Sequence, residues 1–277
     1  MRKTMVIVAA VGILAIAAIV NPFHNHESKT LKKPTTSGLY VAMGDSVAAG
    51  LGLETYSDAS ACNRTNQSYP KLVAAQKNLK LVSLACSGAT LDAGITGTQT
   101  VNDLALKPQL DQLFALPQPQ LITLTIGAND LGWTELLTKC STSTCGTADD
   151  TALVDARLAS VTTNLQSVLQ KISEHYGSKL PRVVVTGYYQ LLPPALQNCP
   201  EMTGLDAAEL SWQRAQEDKL NATLQKVVSG QSLSSFAPVD FSGHELCTDA
   251  SWVQNISAPA PFHPTNTGQQ AYLKSVL

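Results

Sequence analysis

The sequence is short of charge. Only 14% of its residues are Asp, Glu, Lys or Arg, where globular chains usually carry about a quarter. Lys and Arg number 19 against 21 Asp and Glu, a net charge of −2. No basic stripe runs along the chain, so nucleic acid is not an expected partner. A metal framework is missing too. None of the six cysteines forms a C-x-x-C pair and none has paired histidines nearby, so no zinc site is expected. There is no internal repeat and no low-complexity tract.

What is present begins with the first 26 residues. Arg2 and Lys3 precede an uncharged apolar run from Met5 to Val20. This is the pattern of an export signal or of a short membrane anchor, residues 1–26. The run falls short of the ~20 residues typical of a spanning helix. Cleaved signal and retained tether through residues 5–20 both stay open. Residues 27–37 are polar and aperiodic and read as a linker. Residues 38–277, about 240 in number, suit one α/β domain. Cysteines at 62, 86, 140, 145, 199 and 247 form an even set, which outside the cytosol suggests three disulfides. Six cysteines allow fifteen pairings, and spacing does not choose among them.

Short apolar runs punctuate the domain at 39–43, 80–84, 121–126, 182–188 and 236–241. They are continuous rather than alternating, as strands buried on both faces are. Helical periodicity separates them. Val154, Leu158, Val161, Leu165, Val168, Leu169 and Ile172 mark one apolar face, and Ala208, Trp212, Ala215, Leu220, Leu224 and Val227 another. Residues 68–78, with Pro70 near the start, form a weaker helix signal. Strands alternating with helices predict a three-layer α/β/α sandwich around a mostly parallel five-stranded sheet. Functional groups then gather at the carboxyl ends of the strands.

Three polar blocks fall at such ends. They are Gly44-Asp45-Ser46, Cys86-Ser87-Gly88-Ala89 and Gly127-Ala128-Asn129-Asp130; a fourth, Phe262-His263-Pro264, lies near the C-terminus. Each alone is a turn composition. In this order the four resemble the SGNH family of GDSL-type lipases and esterases, over roughly residues 39–275. The resemblance implies a flavodoxin-like sheet and an ester hydrolase without cofactor. It casts Ser46 as nucleophile and His263 as its base. The N–H groups of Ser46 and Gly88 and the side chain of Asn129 become the oxyanion hole. The chemistry suits the residue types: a hydroxyl needs an imidazole to take its proton, glycine allows close backbone approach, and aimed N–H groups stabilise a developing oxyanion.

One position departs from the family. Most members place an Asp three residues before the histidine, and here that position is Ala260. The sequence resembles a secreted, actinobacterial-like branch with a Ser-His dyad. That branch implies that the backbone carbonyl of Ala260 orients His263, with Asp240 or Asp249 as competing acids. It also implies the pairings Cys62–Cys86, Cys140–Cys145 and Cys199–Cys247. Asp45 is expected to cap the helix after Ser46, and Asp130 to tie down the loop of Asn129. Trp133, Tyr188 and Tyr189 are candidates to line the cleft. His244 is a weaker rival base, because no Pro and no helix follow it. His175 ends a helix, where a cation suits the dipole.

The expected activity is hydrolysis of carboxylic esters, of acyl lipids or of short chains, by an extracytoplasmic monomer. Two alternatives stand beside it: an acetyl esterase of polysaccharides, and a non-catalytic surface module binding glycan or lipid.

Overall fold

The computed structural model describes residues 38–54, 61–196, 199, 202, 204–232 and 234–277. They belong to one unit spanning Thr36–Leu277. The export segment expected at 1–26 and the linker at 27–37 lie outside the described residues. Among the described residues no helix is long and apolar enough to cross a membrane.

Five strands build the central sheet: β1 (Leu39–Gly44), β2 (Lys80–Ser83), β5 (Leu121–Thr125), β6 (Arg182–Thr186) and β7 (Ser234–Ala237). Their spatial order is β2-β1-β5-β6-β7, and every pairing is parallel. A separate antiparallel hairpin, β3 (Gln99–Val101) and β4 (Leu104–Leu106), lies between β2 and β5 in the chain. In the sheet the chain runs from β1 outward to β2, then crosses back to β5 and proceeds the other way. The two directions part between β1 and β5, the place where doubly wound sheets open a crevice.

The strands read as predicted because β1 and β5 are buried along almost their whole length. The fifth strand is a correction. It was expected at 236–241, but pairing with β6 begins at Ser234 opposite Val183 and ends at Ala237 opposite Thr186. Pro238 follows, and a proline has no N–H to extend a ladder.

Helices cover both faces. Helix α6 (Ala148–Tyr176) buries Val154, Leu158, Val161, Leu165, Val168, Leu169 and Ile172, the apolar stripe seen in the sequence. A capping box between Thr147 and Asp150 starts it. It packs against α7 (Ala207–Ser229), whose own box joins Asp206 and Glu209. Elsewhere α2 (Tyr69–Lys77) packs on the C-terminal α8 (Asn266–Val276), where the rings of Tyr69 and Tyr272 stack with centroids 5.3 Å apart. Buried hydroxyls stitch the layers. Tyr69 and Thr125 lie 2.7 Å apart, as do Thr125 and Thr186.

Three disulfides are present, Cys62–Cys86, Cys140–Cys145 and Cys199–Cys247. The first joins the segment after the nucleophile loop to the loop after β2.

Candidate active site

Four loops meet at the crevice. The first leaves β1 at Gly44, whose φ is +133° and where a Cβ would lie 2.2 Å from the Thr125 carbonyl oxygen. Only glycine permits that approach. The buried Gln109 side chain brackets Gly44, accepting from its N–H at 2.8 Å and donating to its carbonyl at 2.9 Å. Asp45 then caps the four-residue α1 (Ser46–Ala49), accepting from the Val47 N–H at 2.9 Å. Ser46 opens that helix and lines the crevice, and its N–H is one that a first helical turn leaves without an intrahelical acceptor. Gly50, left-handed at φ +79°, ends it.

His263 approaches from the C-terminal loop. Its Nε2 stands 2.7 Å from Ser46 Oγ, although 217 residues separate the two in the chain. Its Nδ1 lies 3.0 Å from the Pro261 carbonyl. A carbonyl can only accept, so Nδ1 carries the proton and Nε2 presents its lone pair to the serine hydroxyl. Burial lowers the imidazole pKa below its usual 6.5, opposed by the Pro261 carbonyl and, less, by that of Ala260. The ring is thus neutral, and able to accept a proton, at neutral pH.

The Pro261 carbonyl is the main orienting group, at 3.0 Å from Nδ1, and the expected Ala260 carbonyl acts on the ring beside it with the smaller effect. Residues 260–263 form a turn in which the His263 N–H donates to the Ala260 carbonyl at 3.3 Å. The Ala260 oxygen is thus shared between the His263 backbone N–H and the ring. Pro261 and left-handed Phe262, φ +70°, fit the two central positions of a type II turn. This turn leaves the Pro261 oxygen free to face the ring. Tyr189 donates its hydroxyl to the Phe262 carbonyl and anchors the strained residue. The neighbouring Gln254 donates to the carbonyls of Leu51 and Pro264, at 3.0 and 3.1 Å. It thereby ties the histidine loop to the nucleophile loop.

Gly88 and Asn129 face the same space. Gly88, at φ +80°, sits in the turn Cys86–Ala89, closed by a 3.1 Å bond from the Ala89 N–H to the Cys86 carbonyl. Among the described residues no group accepts from the N–H of Ser46 or of Gly88. Asn129, in α4 (Ala128–Leu131), donates one amide hydrogen to the Ala89 carbonyl at 2.9 Å, leaving the other for the crevice. Asp130 accepts from the Leu91 N–H at 2.9 Å. It therefore fastens the Gly88 loop to its own, where it also accepts from its own backbone N–H, with a pKa pushed up by burial to about 6.

Asp45 is buried beneath the nucleophile, and burial raises its pKa to about 7, opposed by a hydrogen bond from the Tyr188 hydroxyl. The competing acids are elsewhere. Asp240 accepts from the N–H and hydroxyl of Ser242, and Asp249 is exposed. The His244 ring stacks on Trp252 with Nδ1 2.8 Å from the Ala250 carbonyl. His175 stacks on Phe114.

The crevice is a cavity of about 490 Å³. Trp133, Tyr188 and Tyr189 line it, as expected, with Leu51, Leu137, Leu191 and Leu220. Glu217 of α7 also reaches it, accepting from the Leu191 N–H; burial drives its pKa well above the usual carboxylate value. Sequence reasoning missed Glu217, Gln109 and Gln254. A single Glu or Gln inside a helix or loop carries no local pattern that would mark it.

The sequence model of the GDSL-like lipase/acylhydrolase family matches residues 42–271. The chain belongs to that family. A lipase of Streptomyces rimosus is 31% identical over 246 residues, covering 86% of this chain and 85% of the relative. The crystal structure of the extracellular lipase from Streptomyces rimosus superposes with a TM-score of 0.62 at 28% identity, over 86% of this chain and 97% of that one. Phospholipase A1 from Streptomyces albidoflavus NA297 gives a TM-score of 0.62 at 26% identity, over 86% and 98%. As a GDSL-like member of this fold, the chain is a carboxylic ester hydrolase.

Proposed function

We propose that residues 38–277 are a serine hydrolase domain that cleaves acyl-lipid esters through an acyl-Ser46 intermediate. The single observation that carries this reading is the 2.7 Å approach of His263 Nε2 to Ser46 Oγ. It occurs in a crevice that Gly88 and Asn129 also line.

In the first half-reaction Ser46 Oγ attacks the ester carbonyl carbon and its proton passes to His263 Nε2. The carbonyl oxygen gains charge and is met by the Ser46 and Gly88 N–H groups and the Asn129 amide. The resulting imidazolium is held by the Pro261 carbonyl, which accepts from Nδ1 throughout. The C–O bond to the alcohol then breaks, and the leaving oxygen takes the proton from Nε2. In the second half-reaction water attacks the acyl-enzyme, gives its proton to Nε2, and Ser46 leaves with that proton.

The acyl chain lies along Trp133, Leu137, Leu191 and Leu220, whose apolar side chains line the cavity. The lipase and phospholipase A1 named above support a lipid ester rather than a sugar acetate. Residues 1–26 direct the domain out of the cytosol, where the three disulfides form.

The test is hydrolysis of p-nitrophenyl acetate, butyrate and palmitate by wild type and by Ser46→Ala. Wild type is expected to cleave the longer esters, and Ser46→Ala none of them. Equal rates in both proteins would overturn the nucleophile, and cleavage of acetate alone would overturn the lipid assignment.

A further inference from the structure

Gln99 is a buried polar residue on the first strand of the hairpin, 7% exposed. The mechanism above does not use it. Its Nε2 donates to the Ser87 carbonyl at 2.8 Å. That carbonyl belongs to the same peptide unit as the Gly88 N–H. In a trans peptide the C=O and the N–H point in opposite directions within one plane. Whatever fixes the Ser87 oxygen therefore aims the Gly88 hydrogen.

The surrounding turn makes this fixing necessary. The Ala89 N–H closes the turn onto Cys86, and Gly88 at φ +80° is its third residue. This is a type II turn, which differs from type I by rotation of the central peptide alone. Glycine accepts both states at little cost. The backbone at Gly88 thus imposes no preference strong enough to hold one state. Cys62 accepts from both the N–H and the hydroxyl of Ser87, at 3.2 and 3.0 Å. Those bonds hold the peptide before Ser87, not the one after it. Among the described residues Gln99 is the group that donates to the Ser87 oxygen.

We propose that Gln99 is a positioning residue of the oxyanion hole, holding the Ser87–Gly88 peptide so that the Gly88 N–H points at the ester carbonyl oxygen. The hairpin exists, in this view, to deliver one amide to the back of that peptide. The inference rests on Gly88 being an oxyanion donor, as read above.

Two variants test it on p-nitrophenyl butyrate, with Ser46→Ala beside them. Gln99→Leu fills the site but cannot donate. Its kcat is expected to fall ~10²-fold, the loss typical of one missing donor, with KM changed less than ~threefold, the pattern of an interaction made only in the transition state. Affinity for an alkyl boronic acid, which forms a tetrahedral adduct on serine, should fall in step. Gln99→Glu cannot donate while ionised but can when protonated. Its kcat relative to wild type should therefore rise as pH is lowered, which a merely space-filling role would not produce. Near-ultraviolet circular dichroism establishes that each variant is folded, and if Gln99→Leu does not fold, the pH ratio of Gln99→Glu decides. A folded Gln99→Leu with wild-type kcat, a loss confined to KM, or a flat pH ratio would overturn the proposal. If Ser46→Ala is inactive in that case, the inference alone has failed; if Ser46→Ala is active, the underlying reading has failed.

Discussion

The Pro261 carbonyl oxygen lies 3.0 Å from Nδ1 of His263. The bond fixes the tautomer that lets Nε2 accept the Ser46 proton, and it does so without a carboxylate. A neutral acceptor stabilises the imidazolium less than an ionised Asp would. In return, it buries no second charge beside the ester. The cost is local: Phe262 is held at φ +70° to present the oxygen.

Among the described residues the base is partnered by backbone carbonyl and not by a carboxylate. Asp240→Asn and Asp249→Asn should each keep kcat within ~threefold of wild type, whereas His263→Ala should lose ~10³-fold or more. Steady-state kinetics on one ester decide it, and a thousandfold loss in either Asp variant contradicts the dyad.

Tyr189 supports the same turn by donating to the Phe262 carbonyl. Tyr189→Phe removes one hydrogen bond, worth about 1 kcal/mol of stability. Because it loosens the segment carrying His263, kcat should fall between ~10- and ~10²-fold. Unfolding and kinetics on the same preparation separate the two effects.

Activity should also follow the imidazole. Burial lowers the pKa of His263 below 6.5, and the neutral ring is the base. The kcat/KM profile should therefore lose activity as pH falls, with an apparent pKa below 6.5 and a plateau above it. A midpoint above that value would contradict the assignment.

Asp45 predicts a pH effect of opposite sign on stability. Its pKa rises from 3.8 to about 7 on folding. The folded state thus binds more protons than the unfolded chain between those values. Its contribution to stability is complete below pH ~4 and is lost as pH rises through 7. Asp45→Asn keeps an oxygen for the Val47 N–H and does not titrate. Urea unfolding from pH 4 to 8 should show a less negative slope of stability against pH in the variant than in wild type. Identical slopes would refute the shift.

Much of this architecture was legible in the sequence. The strands at 39, 80, 121 and 182 and the stripe of α6 are long signals repeated over many residues, and such patterns survive the noise of individual positions. The hairpin was not legible. Its strands have three residues each, too few to show a period, although Asn102 and Asp103, both left-handed in the structure, are the turn pair such a hairpin favours. The meeting of Ser46 with His263 was visible through the family resemblance, because that chemistry requires those side chains. The precedence of the Pro261 oxygen over that of Ala260 was not. It depends on which peptide plane the turn at Phe262 rotates toward the ring, and the backbone decides that, not residue type. Gln99, Gln109 and Gln254 escaped for a related reason. They act on backbone oxygens and N–H groups far away in the chain, so nothing adjacent in sequence announces them.

The measurement closest to the central claim is the mass of the enzyme quenched during turnover of p-nitrophenyl butyrate, followed by peptide mapping. A burst of p-nitrophenol with one butyryl group on the peptide containing Ser46, absent in Ser46→Ala, is the predicted result. Turnover with no acyl group on the protein, or with the acyl group on another residue, would contradict it.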